Sequence, residues 1–470
     1  MRDISQSLLL GQRARTILAK HFLIRCVLTY GATTYTYTQT KIKRLSDTEQ
    51  TFSHKAQVLL EDTDKVIHGL DLEGYKAVIS YGLITKADSE WIPTAPLWVV
   101  GQDRDSYRTH LECNLELEGI FDRMGKHKAE STLTLASTDT QTVKDLLTGL
   151  ADTTLTDGTN TPYSNYPAYT ITFDSGYDDD GIIDTFVPAD GFRVGLNDTR
   201  LAKFKELLRY TEAVARIGND GEIHIFTPVT SGTTYSNQFH LTQGRDYHNF
   251  FNKRFRRRIV SPNFITFMNH PSHDDTYTGN AKDASADLTD MLERETHYAR
   301  VTSNAQCNSL AEALLSKYQM AAEKGAAVLP FLHFGQEIYD YVNVVDSRVG
   351  DERAGNVGYL TKFYEPGQCN MHFGFGRVPV GVATLQGLAI ETGAGTSGAG
   401  TSGTGTTGFT AANLLPLIEN AYDYINQIID ILGYKVDTED VAQAFESLWE
   451  SAYFRKATVT EELNIPSEAA

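Results

Sequence analysis

The sequence predicts a mainly β protein of the α+β class. Two β-domains flank an inserted α+β domain and are followed by a flexible linker and a C-terminal helical module. Three observations predict this. Apolar and polar residues alternate with period two from Phe22 to Gly119, and strand-like runs return from Lys253 onward. Between them a helix-spaced stretch passes through an Asn-Asp-Gly turn into a short strand. Beyond Gly393, glycine, threonine and serine repeat until a heptad pattern takes over.

The first domain is assigned to residues 1–130. Phe22, Ile24, Cys26, Leu28 and Tyr30 alternate with Leu23, Arg25, Val27 and Thr29, and Gly31-Ala32 separates them from the run Thr33 to Thr38, which is a hairpin signal. KAQVLLED, GYKAVISYGLI and LWVVGQD supply further short strands. Leu111, Cys113, Leu115 and Leu117 alternate with Glu112, Asn114, Glu116 and Glu118, so that strand has one apolar and one carboxylate-bearing face. Such alternation implies an antiparallel sheet with one wet side, closed as a barrel or stacked as a sandwich.

The inserted domain is assigned to residues 131–245. VKDLLTGL reads as a helix, and the polar stretch from Asp152 to Gly181 reads as having little core-forming capacity. Asn197-Asp198 is expected to cap a helix running to about Ile217, with Leu201, Phe204, Leu208, Thr211 and Ala215 on one face. Asn219-Asp220-Gly221 then turns the chain into a strand in which Ile223 and Ile225 point to one side.

The second β-domain, residues 246–385, contains strands across Lys253 to Asn269, a helix from Asn304 to about Lys324, and strands resuming at Val328. In that helix Leu310, Ala313, Leu314, Tyr318 and Ala321 form the apolar stripe, with the stem of Lys317 over it. DSRVGDERAGN and EPGQ are expected as turn-rich interruptions. Residues 386–409 form the linker. Residues 410–470 form the helical module, where Leu414, Ile418, Ala421, Ile425, Ile428 and Leu432 keep heptad spacing. A second helix there places Val441, Phe445, Leu448 and Ala452 on one face.

With a formal net charge of -18, the chain lacks the basic surface that general nucleic-acid affinity requires. Its four cysteines, Cys26, Cys113, Cys307 and Cys369, are far apart in sequence, which predicts neither a zinc site nor a disulfide framework. The leucine run near the N-terminus is too short for a signal peptide, and no 18 consecutive apolar residues occur. A soluble protein made in the cytoplasm is expected.

GAGTSG at Gly393 to Gly398 satisfies GxGxxG but no helix follows it, so it is read as linker. Asp174, Asp178, Asp179, Asp180 and Asp184 offer calcium-type oxygens, yet a Gly181-centred loop puts Val187 where a bidentate glutamate belongs; a solvated acidic loop is the better reading. His270, His273, Asp274 and Asp275 lie in a proline-containing turn without a rigid ligand face. The basic run Lys253 to Arg258 splits over two strand faces, and it is expected to meet carboxylates of a neighbouring subunit or domain, with the Glu112, Glu116 and Glu118 face as one counterpart. No catalytic, cofactor-binding or metal residues are predicted, and no cofactor.

The order of these patterns resembles the tail hub, or baseplate hub, proteins of long-tailed bacteriophages. GYKAVISYGLI, PLWVVGQDRDS and LECNLELEGIFDRMG resemble their N-terminal domain. The segment from Pro188 to Pro228, PADGFRVGLNDTRLAKFKELLRYTEAVARIGNDGEIHIFTP, resembles the domain inserted in them. QEIYDYVNVVDSRVG and NVGYLTKFYEPGQCNMHFGFG resemble their second β-domain. The resemblance spans about Ile17 to Val380 and implies two β-barrel-like tube domains per chain. It further implies a ring, a trimer, that adapts the six-fold tail tube to the three-fold tip. Such a ring contacts the tail tube or distal tail ring, the tape-measure protein and tail fibre or spike proteins, and DNA passes its lumen without sequence-specific binding. The implied location is the virion tail tip, assembled in the host bacterial cytoplasm. A tail-associated cell-wall-degrading enzyme and the hub of a contractile injection system are the alternative expectations.

Overall fold

The computed structural model describes residues 2–376, apart from residues 3, 14–21, 85–88, 109, 238–247, 249–251, 258, 272–274 and 288. The expected linker, its GxGxxG match and both C-terminal helices therefore lie outside the described residues, as do His273, Asp274 and Arg258.

The first stretch carries α1 (Gln6–Arg13), β1 (Phe22–Tyr30), β2 (Thr33–Thr38), β3 (Ile42–Gln50), β4 (Ser53–Glu61), β5 (Lys76–Ile84), β6 (Ser89–Pro93), β7 (Leu97–Ser106) and β8 (Leu111–Glu118). The middle carries α2 (Ile120–Met124), β9 (Leu133–Thr134), α3 (Val143–Asp152), β10 (Ile171–Phe173), α4 (Ile182–Thr185), β11 (Arg193–Val194), α5 (Arg200–Leu208), β12 (Val214–Ile217) and β13 (Ile223–Phe226). The last stretch carries β14 (Gly232–Asn237), β15 (Asn252–Arg257), β16 (Phe264–Asn269), β17 (Thr278–Lys282), β18 (Arg294–Ala299), α6 (Asn304–Ala322), β19 (Glu323–Leu329), β20 (Tyr341–Asp346), β21 (Asp351–Glu365) and β22 (Gln368–Phe375).

The expected mainly β, α+β class is what the structure has. The alternating segments become antiparallel pairs: β1 folds back on β2 around Gly31, whose φ of 56 lies in the left-handed region that glycine tolerates. On β8, Cys113, Leu115 and Leu117 are buried while Glu116 is exposed, as the alternation predicts. The early and late strands form one sheet in the order β15-β19-β22-β21-β3-β4-β8-β7-β5-β1-β2, with β14 and β20 attached at β21 and β6 at β5. The joint is β3 on β21, from Tyr359 opposite Gln50 to Tyr364 opposite Leu45. One apolar cluster serves both halves, with Ile24, Val58 and Leu115 in the same core as Leu329, Leu360 and Phe373.

A second cluster joins Phe121, Leu147 and Phe204 of the middle stretch to Ile265, Phe267 and Leu310. Residues placed by sequence in the second β-domain thus share a core with the insert. The three-stranded sheet β17-β16-β18 turns its inner face to α6.

Several local expectations need correction. The helix expected to reach Ile217 ends at Leu208, and Val214–Ile217 is a strand paired with β13. Gly221, at φ 89, closes that hairpin, which gives β-branched Val214 and Ile217 a pleated surface to pack on. The cap of α5 is Thr199, whose Oγ1 accepts from Ala202 N; Asp198 instead accepts from Gly195 N at 2.7 Å. The polar stretch after Asp152 does build core, because Leu155, Tyr163 and Tyr169 are buried. Tyr163 keeps its hydroxyl satisfied by donating to Asp198 O at 3.2 Å. Lastly, DERAGN is the first part of β21, paired with β20, and the interruption is confined to residues 347–350.

Candidate functional site

Where β3 meets β21, the inward face of the sheet changes from apolar to ionic. Leu45, Asp47 and Glu49 occupy alternate positions of β3 and are all buried. Sheet register places Lys362 opposite Asp47 and His54 opposite Glu49. His54 Nε2 lies 2.6 Å from Asp47 Oδ1, and the Tyr81 hydroxyl donates to Asp47 Oδ2 at 2.8 Å. Lys362 Nζ donates to Glu49 Oε1 at 3.4 Å and sits 5.4 Å from the centre of the Tyr81 ring.

Arg2 extends this network by meeting Glu49 through Nη2 and Glu337 through Nε, each at 3.2 Å. From the insert, Arg216 on β12 reaches Glu337 and Asp340 at 3.3 Å each while lying over the Phe226 ring. Asp340 also accepts from Gln336 Nε2, and the Gln336 amide oxygen accepts from the buried Tyr235 hydroxyl. The network ties the amino-terminal segment, the sheet and the insert hairpin to one set of carboxylates.

Burial by itself would neutralise these groups, so their protonation reports which pairings prevail. Burial opposes ionisation of Asp47, but the charges of His54 and Lys362 hold its carboxyl below the usual range. Glu49 is likewise held low against burial by Lys362 and Arg2. Burial would lower His54, yet Asp47 and Glu49 raise it. Tyr81 is pushed far up by burial and by Asp47, so it remains a donor. Asp47, Glu49 and His54 have the spacing of a metal-ligand set. Lys362 and Arg2 already neutralise those carboxylates, which argues for an ionic clamp rather than a cation site. The adjoining cavity, lined by Glu49, His54, Arg216 and Glu337, measures about 20 Å3, room for a water and not for a substrate.

The insert buries cations differently. Arg200 is wholly buried and donates to the Leu150, Ala151 and Pro167 carbonyls, lying over the Tyr169 ring. Two of those carbonyls belong to the last turn of α3, where helix geometry leaves acceptors unused. Burial lowers Arg200 to about 10. Lys317 similarly donates to Leu208 O at the end of α5, and burial lowers it to about 7. Beside it, burial and Asp178 raise Asp180 to about 6.

The acidic loop is consumed by local structure. Asp178 accepts from Ile183 N and Asp184 N, and Asp180 from Ile182 N and Glu212 N, so both cap backbone amides. Asp174 and Asp220 hold the two ring nitrogens of His224, at 2.7 and 3.0 Å. Asp184 pairs with Lys144 at 3.1 Å. In the other histidine turn, His270 N donates to Ala299 O and Asp275 O accepts from the Asn269 side chain. From the basic run, Lys253 meets Asp351 at 2.8 Å and Asp346 at 3.6 Å in its own chain. Glu118 is taken by Lys126 and Lys55. The side chains of residues 255–258 lie outside the described set.

Sequence reading missed Asp47, Glu49, Lys362 and Arg200. The signal available for the first two was an acidic pair at inward positions of a strand whose other inward residues, Ile42 and Leu45, are apolar. Among the described residues, no helix is long and apolar enough to cross a membrane.

No protein-family model matches the chain, and no curated protein matches it. Solved structures do. The chain is similar to the tail protein from Neisseria meningitidis MC58, at 10% identity and a TM-score of 0.52, over 76% of this chain and 96% of that one. It also aligns with the 43 kDa tail protein of prophage MuSo2 from Shewanella oneidensis, at 10% identity and a TM-score of 0.48, over 75% and 98%. A third alignment is with the prophage tail protein gp18 from Listeria monocytogenes EGD-e, at 10% identity and a TM-score of 0.43, over 75% and 94%. The class this defines is one of fold: the chain has the fold of the Neisseria tail protein across nearly the whole of that chain.

Proposed function

We propose that this chain is a structural hub of a phage tail, without catalytic activity, that forms a trimeric ring at the junction of tail tube and tip. The observation that carries the reading is the shared fold with a tail protein, which covers 76% of this chain. The continuous sheet and the ionic clamp across β3 and β21 support it, because they suit a body that bears load rather than one that opens around a substrate. The acidic balance supports a lumen that DNA crosses without being held. In this reading the ring stacks on the tail tube or distal tail ring, surrounds the tape-measure protein during assembly in the bacterial cytoplasm, and carries fibre or spike proteins in the virion.

Native mass measurement of the purified chain tests it, alone and with a tail tube protein. Three copies per particle are expected. A chain that stays monomeric in both conditions overturns the ring. Turbidity clearing of purified peptidoglycan tests the enzymatic alternative, and no clearing above buffer is expected.

A further inference from the structure

The outward face of β17-β16-β18 has an unusual composition for so acidic a chain. Register sets its rows as Lys282–Phe264–Arg294, Asn280–Thr266–Thr296 and Thr278–Met268–Tyr298. None of these positions carries a carboxylate. The inward positions Ile265, Phe267 and Ala281 are buried, so the outward set is what the sheet offers to solvent. Met268 is 39% and Tyr298 53% exposed, and Met291, Leu292 and Ile259 around the same sheet are exposed as well. Arg294 lies over the Phe264 ring at 4.6 Å, which fixes its charge at one end of the face, while Lys282 meets Asp287 of its own chain at 2.7 Å. Exposed Met268 and Tyr298 at the other end, across the polar row Asn280–Thr266–Thr296, complete a face with an apolar edge and a fixed cation, the composition of an interaction surface.

The opposite composition occurs on the outer face of the large sheet. Asp105, Glu112 and Glu61 stand directly across from one another on β7, β8 and β4, with Asp103 and Glu116 exposed beside them. Like charges in cross-strand register oppose sheet formation. Lys43 and His110 compensate in part, meeting Glu61 and Glu112 at 2.7 and 3.4 Å. Adjacent to the row is a recess of about 380 Å3 lined by Lys43, Arg44, Leu59, Glu61, His110 and Glu112, whose carboxylates are shared with Lys43 and His110, which leaves Asp105, Asp103 and Glu116 as the more exposed part of the acidic face.

We infer that the Phe264–Met268–Tyr298 face of one copy docks on the Asp105–Glu112–Glu61 row of the next. The two surfaces differ, so the contact is head-to-tail, the type that forms a ring when its rotation closes and an open filament when it does not. This rests on the ring reading above and assigns the surfaces that build it. Desolvation of Arg294 against the row, with Lys282 exchanging Asp287 for a carboxylate of the next copy, gives the contact its register, and Met268 and Tyr298 supply the buried apolar area.

Charge reversal tests it. The double variant Lys282→Glu with Arg294→Glu, and separately Asp105→Lys with Glu112→Lys, should each weaken self-association by about tenfold or more at low salt. All four changes in one chain restore complementarity and should recover most of the loss. Met268→Ser, which removes apolar area and adds no charge, should weaken association with the charge complementarity intact. Far-ultraviolet circular dichroism and melting of each variant establish that it is folded. If the native chain forms rings and folded charge variants form them equally well, or if the four-fold variant fails to recover, this inference falls and the ring stands. A native chain that never associates overturns both.

Discussion

The sheet and the insert both bury cations, and they do so by opposite means. At the β3–β21 joint, Arg2 and Lys362 face carboxylates, and Arg2 is driven above its ordinary value because Glu49 and Glu337 outweigh burial. In the core of the insert, Arg200 and, from α6, Lys317 donate to helix-end carbonyls, and burial pulls both down. A carbonyl dipole solvates a cation less well than a carboxylate does, but at Arg200 it leaves no ion-pair partner to be stranded, whereas Lys317 also has Asp180 and Glu212 near it. The sheet solution is therefore the more fragile to single substitutions, and His54 in the sheet and Lys317 should respond to rising pH with opposite sign.

The largest effect is expected from Lys362→Met, which leaves two adjacent buried carboxylates, Glu49 and Asp47, with only Arg2 and His54 as cations and should cost about 3–5 kcal/mol in denaturant-unfolding free energy. Adding Glu49→Leu and Asp47→Leu should return a large part of that loss. If Lys362→Met costs under about 1 kcal/mol, the clamp is not what holds this joint. Arg200→Leu comes next, at about 1–3 kcal/mol, because it leaves the Leu150 and Ala151 carbonyls buried without donors. Equilibrium urea unfolding of the variant checks it, and a cost equal to that of Lys362→Met would erase the contrast between the regions.

The pH dependence sharpens the comparison further. His54 is raised in the folded state, so its contribution is fully present below its unfolded value near 6.5 and is lost as pH rises through the folded value. Asp47 and Glu49 are lowered, so theirs is present above about pH 4–5 and is lost as pH falls through the folded values. Lys317 slopes opposite to His54: lowered to about 7, it binds fewer protons folded than unfolded, so stability rises with pH from about 7 towards 10.5. Melting between pH 6 and 10 should therefore lose its falling component in His54→Gln and its rising component in Lys317→Met. An unchanged profile in both variants would remove the electrostatic distinction. The smallest effect belongs to Thr199→Ala, about 1 kcal/mol from the lost cap of α5, read from thermal unfolding.

Much of the secondary structure was legible. The alternation at Cys113, Leu115 and Leu117 and the hairpin around Gly31 needed only local rules, and α6 needed only the stripe through Leu310 and Leu314. The core role of Tyr163 and Tyr169 was not legible, because a stretch rich in Asp, Thr and Gly carries no periodicity to reveal two anchoring tyrosines. The candidate site was legible least. Asp47 and Glu49 read as surface carboxylates until Lys362, more than 300 positions away, is brought opposite by sheet register. Arg200 reads as an exposed helix start until the end of α3 arrives beside it.

By itself, the sequence determined the class of the fold, the positions of its strongest strands and helices, and its acidic balance, since these depend on residues near one another or on sums over the chain. Tertiary structure decided that early and late strands share one sheet, that residues 260–315 join the core of the insert, and which charges are buried together. Those outcomes depend on pairing between segments that no local pattern connects. The energy of a buried charge is set by the partner across the interface rather than by its neighbours in the chain.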